Sequence, residues 1–169
     1  MERNNLWAPW RIKYIQGLNQ TGECFFCADV KNQEDDDKNL VLWRTTHCIV
    51  VLNRFPYNNG HLLLAPIRHI SGLEEATDAE MLELMKLVAE SRKALSLAIK
   101  PHGFNIGLNL GRCAGAGLPE HLHLHLVPRW DGDTNFMSVC SDTKVISQSL
   151  TELLEQLKQI SREHNLGLL

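Results

Sequence analysis

The stretch HLHLHLVPRW at positions 121–130 constrains the fold of this chain more than any other feature. Histidine and leucine alternate over its first six residues, and successive side chains of a β-strand point to opposite faces of the sheet. The alternation predicts a half-buried strand, with the leucines facing the core and His121, His123 and His125 sharing the other face. Imidazoles on one face lie roughly 7 Å apart and would repel one another if all were protonated, so we expect neutral, metal-bound or hydrogen-bonded rings.

Two interpretations of this histidine row are open at this point. The three imidazoles could bind one metal ion, or a single imidazole could act as a covalent nucleophile. An isolated histidine such as His47, His102 or His164 is more often a surface or hydrogen-bonded residue. Three histidines in strict alternation are hard to explain in that way, so the row predicts a functional site.

The order of the predicted elements indicates an α+β fold. Strand patterns occur in HCIVVLN, HLLLAP and FNIGLNL, in addition to the histidine strand. The segment TDAEMLELMKLVAESRKALSLAI predicts a long central helix with Thr77 and Glu80 as its capping box, and a C-terminal helix begins near Ser149. Strands, a helix, two strands and a helix favour an antiparallel sheet over a doubly wound one. The residues of the central helix predicted to face the core are Met81, Leu84, Met85, Val88, Leu95 and Ile99.

Composition limits the possible classes of function. With 169 residues and 44% hydrophobic content the chain fits a single domain, and a formal net charge of −3 gives no general case for a nucleic-acid partner. No apolar run approaches the ~20 residues of a membrane span, and MERNNLWAPW lacks the apolar stretch of a signal peptide. We therefore expect a cytoplasmic protein with no membrane partner. In the reducing cytoplasm, its five cysteines would be thiols or metal ligands rather than disulfides.

The CFFC segment has the spacing with which two thiolates bind one tetrahedral zinc ion. Cys24 and Cys27 would need two further ligands, and the candidates are His47, His61, His69, His102 and one histidine of the row. A redox dithiol would call for a thioredoxin-like βαβ context, which this chain lacks. Two ordinary reduced cysteines are the remaining alternative.

A glycine-rich segment, NLGRCAGAGLPEH, leads directly into the histidine strand. Glycines let backbone N–H groups approach a ligand closely, and consecutive amides can form a nest that binds an anion. Next to a row of imidazoles, such a loop suggests a phosphate held against a nucleophile. Phosphoryl-type transfer depends mainly on positioning and on stabilisation of charge, which backbone amides supply.

Four motifs together resemble the histidine triad (HIT) family of nucleotide hydrolases and transferases. HLHLHLVPR is similar to the family's His-φ-His-φ-His-φ-φ signature, and VLNRFPYNNGHLLLAP, RHISGL and NLGRCAGAG are similar to its upstream strand pair, helix-opening segment and phosphate loop. The resemblance spans roughly Cys24 to Trp130. It implies a single HIT-like domain over residues 1–169, with an N-terminal arm (1–20), a HIT core (21–130) and a C-terminal extension with a helix (131–169).

The resemblance also implies roles for particular residues. His123 would be the nucleophile that attacks the α-phosphorus and forms a nucleotidyl-histidine intermediate. His125 would contact the α-phosphate oxygens, and His61 would support the triad from a neighbouring strand. Asn53 matches a position that contacts the ribose hydroxyls, and Asn109 matches one that contacts the phosphate or the leaving group.

Family members with a CxxC motif bind a structural zinc ion outside the chemistry. The ligands implied here are Cys24, Cys27, His69 and His121. The phosphate loop departs from the family, because Ala116 and Gly117 stand where many members have Gln-Ser or Gln-Thr and the loop is a residue or two longer. Backbone amides of Gly117 and its neighbours would then replace the missing hydroxyl.

The segments PRWDGDTNFM and LWAPWRIKYI resemble the branch that acts on diadenosine tetraphosphate, as phosphorylase (ATP adenylyltransferase) or hydrolase. We therefore expect an enzyme that cleaves dinucleoside polyphosphates at the α-phosphate, with water or phosphate as acceptor and with Trp130 near the second nucleoside. The alternatives are a general purine nucleoside phosphoramidase, a slow nucleotide-binding protein and a metal-centred hydrolase. Its partner would be a small nucleotide, and by resemblance the chain would form a homodimer.

Overall fold

The computed structural model describes residues 24–133 and 146–168. Within these residues, one antiparallel sheet has the strand order β1-β2-β3-β5-β4, so the last strand lies between the third and the fourth. The strands are β1 (Val41–Arg44), β2 (Cys48–Leu52), β3 (Leu62–Pro66), β4 (Gly103–Leu108) and β5 (Leu124–Arg129). The helices are α1 (Phe25–Lys31), α2 (Asp78–Ile99) and α3 (Leu150–His164). The predicted α+β fold, with a long central helix and a C-terminal helix, is confirmed.

The strands β2 and β3 are continuous apolar runs because both of their faces are covered. One face packs on α2 and α3 and contributes Leu62 to the larger core cluster. The other face contributes Val51 and Leu63 to a smaller cluster that includes Phe26 of α1. His125 lies opposite Leu63 in the ladder between β3 and β5, so it projects from the face that α1 covers.

Two features of the sheet differ from the sequence prediction. The strand β1 was not predicted, because VLWR is a short run without alternation, and its pairing with β2 is irregular between Val41 and Trp43. The histidine strand begins at Leu124 rather than at His121. The two preceding histidines therefore lie outside the strand ladder, although both are buried.

The capping box of α2 is confirmed, because Thr77 Oγ1 accepts the N–H of Glu80 at 3.3 Å and the Glu80 carboxylate accepts the N–H of Thr77 at 2.8 Å. The predicted apolar face of α2 is partly wrong, since Met81 is 43% exposed and Met85 is 59% exposed. The helix turns a neighbouring stripe, which also contains the buried Ser91, toward the sheet and α3. The buried apolar residues of that stripe are Leu84, Leu87, Val88, Ala94 and Leu95.

The helix α3 begins as predicted, with Ser149 Oγ accepting the N–H of Glu152 at 3.2 Å. It packs Leu153, Leu154 and Leu157 into the larger core cluster. No helix in the described part of the chain is long and apolar enough to cross a membrane. The predicted N-terminal arm (1–20) and the TNFM segment (134–137) lie outside the described residues.

Candidate active site and metal centre

Two thiols and two imidazoles meet where α1 covers the ends of β3 and β5. Cys24 directly precedes α1 and Cys27 follows one turn later, so the start of the helix brings both thiols to one side. Cys24 Sγ lies 3.2 Å from His121 Nδ1, and Cys27 Sγ lies 3.2 Å from His69 Nδ1 and 3.7 Å from His121 Nδ1. One ligand atom from each of the four residues lies within 4.8 Å of the others.

The arrangement of these donors fits a tetrahedral zinc ion. With Zn–S about 2.3 Å and Zn–N about 2.0 Å, sulfur and nitrogen ligands lie about 3.5 Å apart. His121 Nε2 lies 2.8 Å from the Pro66 carbonyl oxygen, which can only accept, so the ring presents its Nδ1 lone pair to the thiols. Burial raises the pKa of the Cys24 thiol to about 11, and a bound cation would reverse that effect. The four residues could therefore hold a metal ion.

The structure shows which of the candidate histidines lie close enough to the two cysteines to share a metal ion with them. Of the candidate histidines, His69 and His121 join the two cysteines, whereas His47, His61 and His102 do not. Cys24 and Cys27 are free thiols rather than a disulfide.

His123 is held by the backbone of the residue two positions before it. Its Nδ1 lies 2.7 Å from the carbonyl oxygen of His121, and because a carbonyl only accepts, Nδ1 carries the proton and donates. Burial lowers the pKa of His123, so the ring is neutral near pH 7 and its lone pair lies on Nε2. The ring of Phe26 packs 5.0 Å from that of His121 and 5.6 Å from that of His123. This geometry leaves Nε2 of a neutral imidazole unprotonated, and a nitrogen in that state is chemically able to act as a nucleophile.

His125 is paired with the histidine of the upstream strand segment. His61 Nε2 lies 2.9 Å from His125 Nδ1, and the rings of His123 and His125 lie 5.0 Å apart. Burial lowers the pKa of His61 to about 3, with further contributions from His125 and His123. Gly60, in the left-handed region at φ 76°, brings the chain into this position, and a Cβ there would lie 2.7 Å from Ile99 Cδ1. His61 thus contacts the third histidine of the row from a neighbouring segment.

The glycine-rich loop runs beside His125. Asn109 Nδ2 lies 3.4 Å from His125 Nε2, which places this side chain at the edge of the imidazole cluster. Gly111 at φ 81° and Gly115 at φ 92° flank a short 3₁₀ turn, and both conformations favour glycine. Gly117 follows this turn in the chain, before His121, and is half-buried. Its φ is not positive, so its backbone conformation does not itself require glycine.

Trp130 directly follows β5 and is half-buried. Its backbone N–H donates to the Asp133 carboxylate at 3.2 Å, and the Asn58 amide donates to the same carboxylate at 2.8 Å. Arg129 Nε also donates to Asp133, at 2.6 Å. These bonds join the turn that carries Trp130 to the loop between β2 and β3. A second interpretation of Trp130 is that it packs against the N-terminal arm, but Trp7 and Trp10 of that arm lie outside the described residues.

Two aromatic residues of the site were not identified from the sequence. Phe26 supports the rings of His121 and His123, and the Tyr57 ring stacks on His125 at 15° and 5.7 Å. Both residues are aromatic side chains inside motifs that the sequence analysis had singled out, CFFC and RFPYNNG. Neither motif, however, shows which imidazole the aromatic ring contacts.

The three histidines of the row have different partners. His121 faces the thiols, His123 donates to a carbonyl, and His125 pairs with His61. Within the described residues His121 alone among the three belongs to a cluster of potential metal ligands. The geometry therefore does not support the interpretation of the row as a three-histidine metal site.

Comparison with known proteins agrees with this geometry. The HIT domain model matches residues 34–132. The chain is 40% identical over 153 residues to an AP-4-A phosphorylase of Mycobacterium tuberculosis, covering 87% of this chain and 78% of that protein. It is 32% identical over 135 residues to an uncharacterized HIT-like protein of Methanocaldococcus jannaschii, covering 80% of this chain and 98% of that protein.

Solved structures show the same fold. A Zn-bound histidine triad family protein from Mycobacterium smegmatis superposes with a TM-score of 0.68 at 22% identity, covering 85% of this chain and 96% of that one. A hypothetical histidine triad nucleotide-binding protein from Sulfolobus tokodaii superposes with a TM-score of 0.63 at 29% identity, covering 83% of this chain and 90% of that one. The family match covers more than half of the chain and coincides with the imidazole cluster, and this chain therefore belongs to the HIT domain family.

Proposed function

We propose that this protein is a nucleotidyl transferase or hydrolase that cleaves dinucleoside polyphosphates of the diadenosine tetraphosphate type. The observation that carries the proposal is the neutral His123 ring, whose Nδ1 proton is held by the His121 carbonyl and whose Nε2 is left as a nucleophile. The AP-4-A phosphorylase that is 40% identical over most of both chains supports this class of substrate.

In the proposed reaction, His123 Nε2 attacks the α-phosphorus of the bound nucleotide. A P–N bond forms while the bond from the α-phosphorus to the bridging oxygen breaks, and the polyphosphate departs with that electron pair. His125 and the backbone amides around Gly117 stabilise the oxygens of the α-phosphate, and Asn109 contacts the phosphate or the leaving group. Water or inorganic phosphate then attacks the phosphorus. A P–O bond forms, the P–N bond breaks with its electron pair returning to His123 Nε2, and the proton of an attacking water passes to solvent.

Product analysis with diadenosine tetraphosphate, with and without inorganic phosphate, tests this proposal. Attack at the α-phosphorus releases ATP, and the nucleotidyl group becomes AMP with water or ADP with phosphate as acceptor. A His123→Ala variant should form neither product, and a variant of the exposed His164, His164→Ala, is the matched control. Absence of turnover with the wild-type chain would contradict the proposal. Faster cleavage of a purine nucleoside phosphoramidate would favour the alternative activity.

We propose a structural zinc ion as the cofactor, held by Cys24, Cys27, His69 and His121. Four protein ligands complete a tetrahedral shell, which leaves no open position for substrate. When bound, the ion would cross-link α1 to the ends of β3 and β5. Free thiols at Cys24 and Cys27 also fit the cytoplasm, where thiols stay reduced.

We also propose that the chain forms a homodimer through the free edge of the sheet. Among the described strands β4 pairs with β5 alone, and Ile106 on β4 is 48% exposed. An unpaired apolar edge can continue into the same strand of a second copy. Ile106→Lys should shift the protein toward the monomer in sedimentation equilibrium. A wild type that is itself monomeric, or a variant that stays as dimeric as the wild type, would contradict this assembly.

A further inference from the structure

We propose that the loop between β2 and β3 sets the proton positions on His61 and His125, with Asn53 as a positioning residue. The inference deepens the proposed function and rests on it for the role of His125. It differs from the role that the family resemblance implies for Asn53, which is contact with the ribose.

Two donors converge on one nitrogen of His61. The backbone N–H of Tyr57 donates to His61 Nδ1 at 3.1 Å. The amide oxygen of Asn53 accepts the N–H of Phe55 at 2.9 Å, which turns its amide nitrogen toward His61 Nδ1 at 3.2 Å. Because a backbone N–H and an amide NH₂ can only donate, His61 Nδ1 must present a lone pair.

The proton of His61 therefore lies on Nε2. The His61 ring is fully buried. Burial lowers its pKa to about 3, and the neighbouring rings of His125 and His123 lower it further. A neutral ring with a lone pair on Nδ1 carries its one proton on Nε2. That N–H points at His125 Nδ1, 2.9 Å away, which must then accept.

The same argument applies to the next ring. With Nδ1 accepting, the proton of a neutral His125 lies on Nε2. Asn109 Nδ2 lies 3.4 Å from this nitrogen, and because two donors cannot bond each other, this tautomer requires the Asn109 amide to turn its oxygen toward His125. In the proposed reaction this N–H donates to an oxygen of the α-phosphate. The opposite tautomer would present a lone pair to that oxygen and would repel it. The Tyr57 ring, stacked on His125 at 15°, holds the imidazole plane in this orientation.

The test is a pair of substitutions at Asn53 with opposite hydrogen-bonding character. Asn53→Ala removes one donor and leaves the Tyr57 N–H, so the protons should stay in place. Asn53→Asp puts an acceptor against His61 Nδ1, which then requires a proton on that nitrogen. Asn39→Asp, at a partly exposed position away from β4 where the side-chain oxygen accepts from Arg54 at 3.0 Å, is the matched control for the change of charge.

Nitrogen-15 NMR of the imidazoles in the free protein reads the protons directly, without substrate. In the wild type and in Asn53→Ala, we expect lone pairs on Nδ1 and protons on Nε2 of both His61 and His125. In Asn53→Asp, His61 Nδ1 should gain a proton. A wild-type His61 with its proton on Nδ1, or an Asn53→Asp variant with a bare Nδ1, would overturn the inference.

Kinetics separates this role from ribose binding. Loss of a partner that fixes a functional imidazole typically costs about 10–100-fold in activity, so kcat of Asn53→Asp should fall by that factor relative to Asn53→Ala. A residue that only contacts ribose would raise KM in Asn53→Ala, keep an acceptor for the ribose hydroxyls in Asn53→Asp, and leave kcat unchanged in both variants, which would contradict the inference. If no variant and no wild type cleaves dinucleoside polyphosphates, the proposed function fails, while the NMR result still decides the tautomers.

Discussion

Replacement of Phe26 by alanine should both destabilise the fold and weaken metal binding at the proposed zinc site. Phe26 is fully buried, packs on Val51 and Leu63 of the sheet, and contacts the rings of His121 and His123. Its helix α1 has 7 residues, too few to be stable without tertiary packing. This side chain is therefore a main attachment of the helix that carries Cys27.

The expected loss is about 3–5 kcal/mol for removing a buried phenylalanine, from a total stability of about 5–15 kcal/mol. The neighbouring Phe25 provides a matched control, since its ring lies 4.1 Å from that of Phe26 but is 43% exposed. With less apolar surface removed from water, Phe25→Ala should cost under about 1.5 kcal/mol.

Urea unfolding at a fixed, saturating zinc concentration measures this difference, because zinc binding itself adds to the apparent stability. Competition with a chelator measures how firmly each variant retains the metal, and Phe26→Ala should release it more readily than Phe25→Ala. Equal losses of stability in the two variants, or unchanged metal retention in Phe26→Ala, would refute the reasoning that Phe26 holds α1 on the sheet.

Three further predictions concern the metal, the nucleophile and the second nucleoside. Purified protein should contain about one zinc ion per chain, and full metal retention in the Cys24→Ser, Cys27→Ser double variant would contradict the ligand set. His123→Asn should lower turnover by about 10⁴-fold or more while nucleotide binding persists, and near-normal rates would exclude a covalent role. Trp130→Ala should weaken cleavage of diadenosine tetraphosphate about tenfold, as expected for lost base stacking, and spare an adenosine phosphoramidate. Equal losses on both substrates would show that Trp130 only supports the fold.

The sequence predicted those elements of the fold whose periodicity is unambiguous. Alternation identified β4, and caps at Thr77 and Ser149 located the starts of α2 and α3. The error at Met81 and Met85 has a physical cause. Periodicity shows that a helix has a wide apolar arc, but the sheet and α3 decide which part of that arc is buried, and this choice is not a local property.

The candidate site was predictable in its residue types and much less in its contacts. The spacing of Cys24 and Cys27 indicated a metal pair, but His69 and His121 came from resemblance, because they lie 42 and 97 positions away from the cysteines they contact. The donor at Tyr57 is a backbone N–H, which every residue except proline possesses. No residue pattern can therefore reveal that this particular N–H faces an imidazole.

The strand ladder of β5 begins at Leu124 and not at His121, and this explains how the three histidines of one row contact three different partners. If β5 began at His121, its backbone would be committed to cross-strand hydrogen bonds. Instead the ladder begins at Leu124, and the N–H of Leu122 donates to the Ile70 carbonyl at 2.6 Å. The His121 carbonyl is thereby left to accept from the His123 ring, while the His121 ring turns to the thiols. Regular alternation is broken where the candidate site lies, so the departure from the predicted strand is part of the geometry of that site.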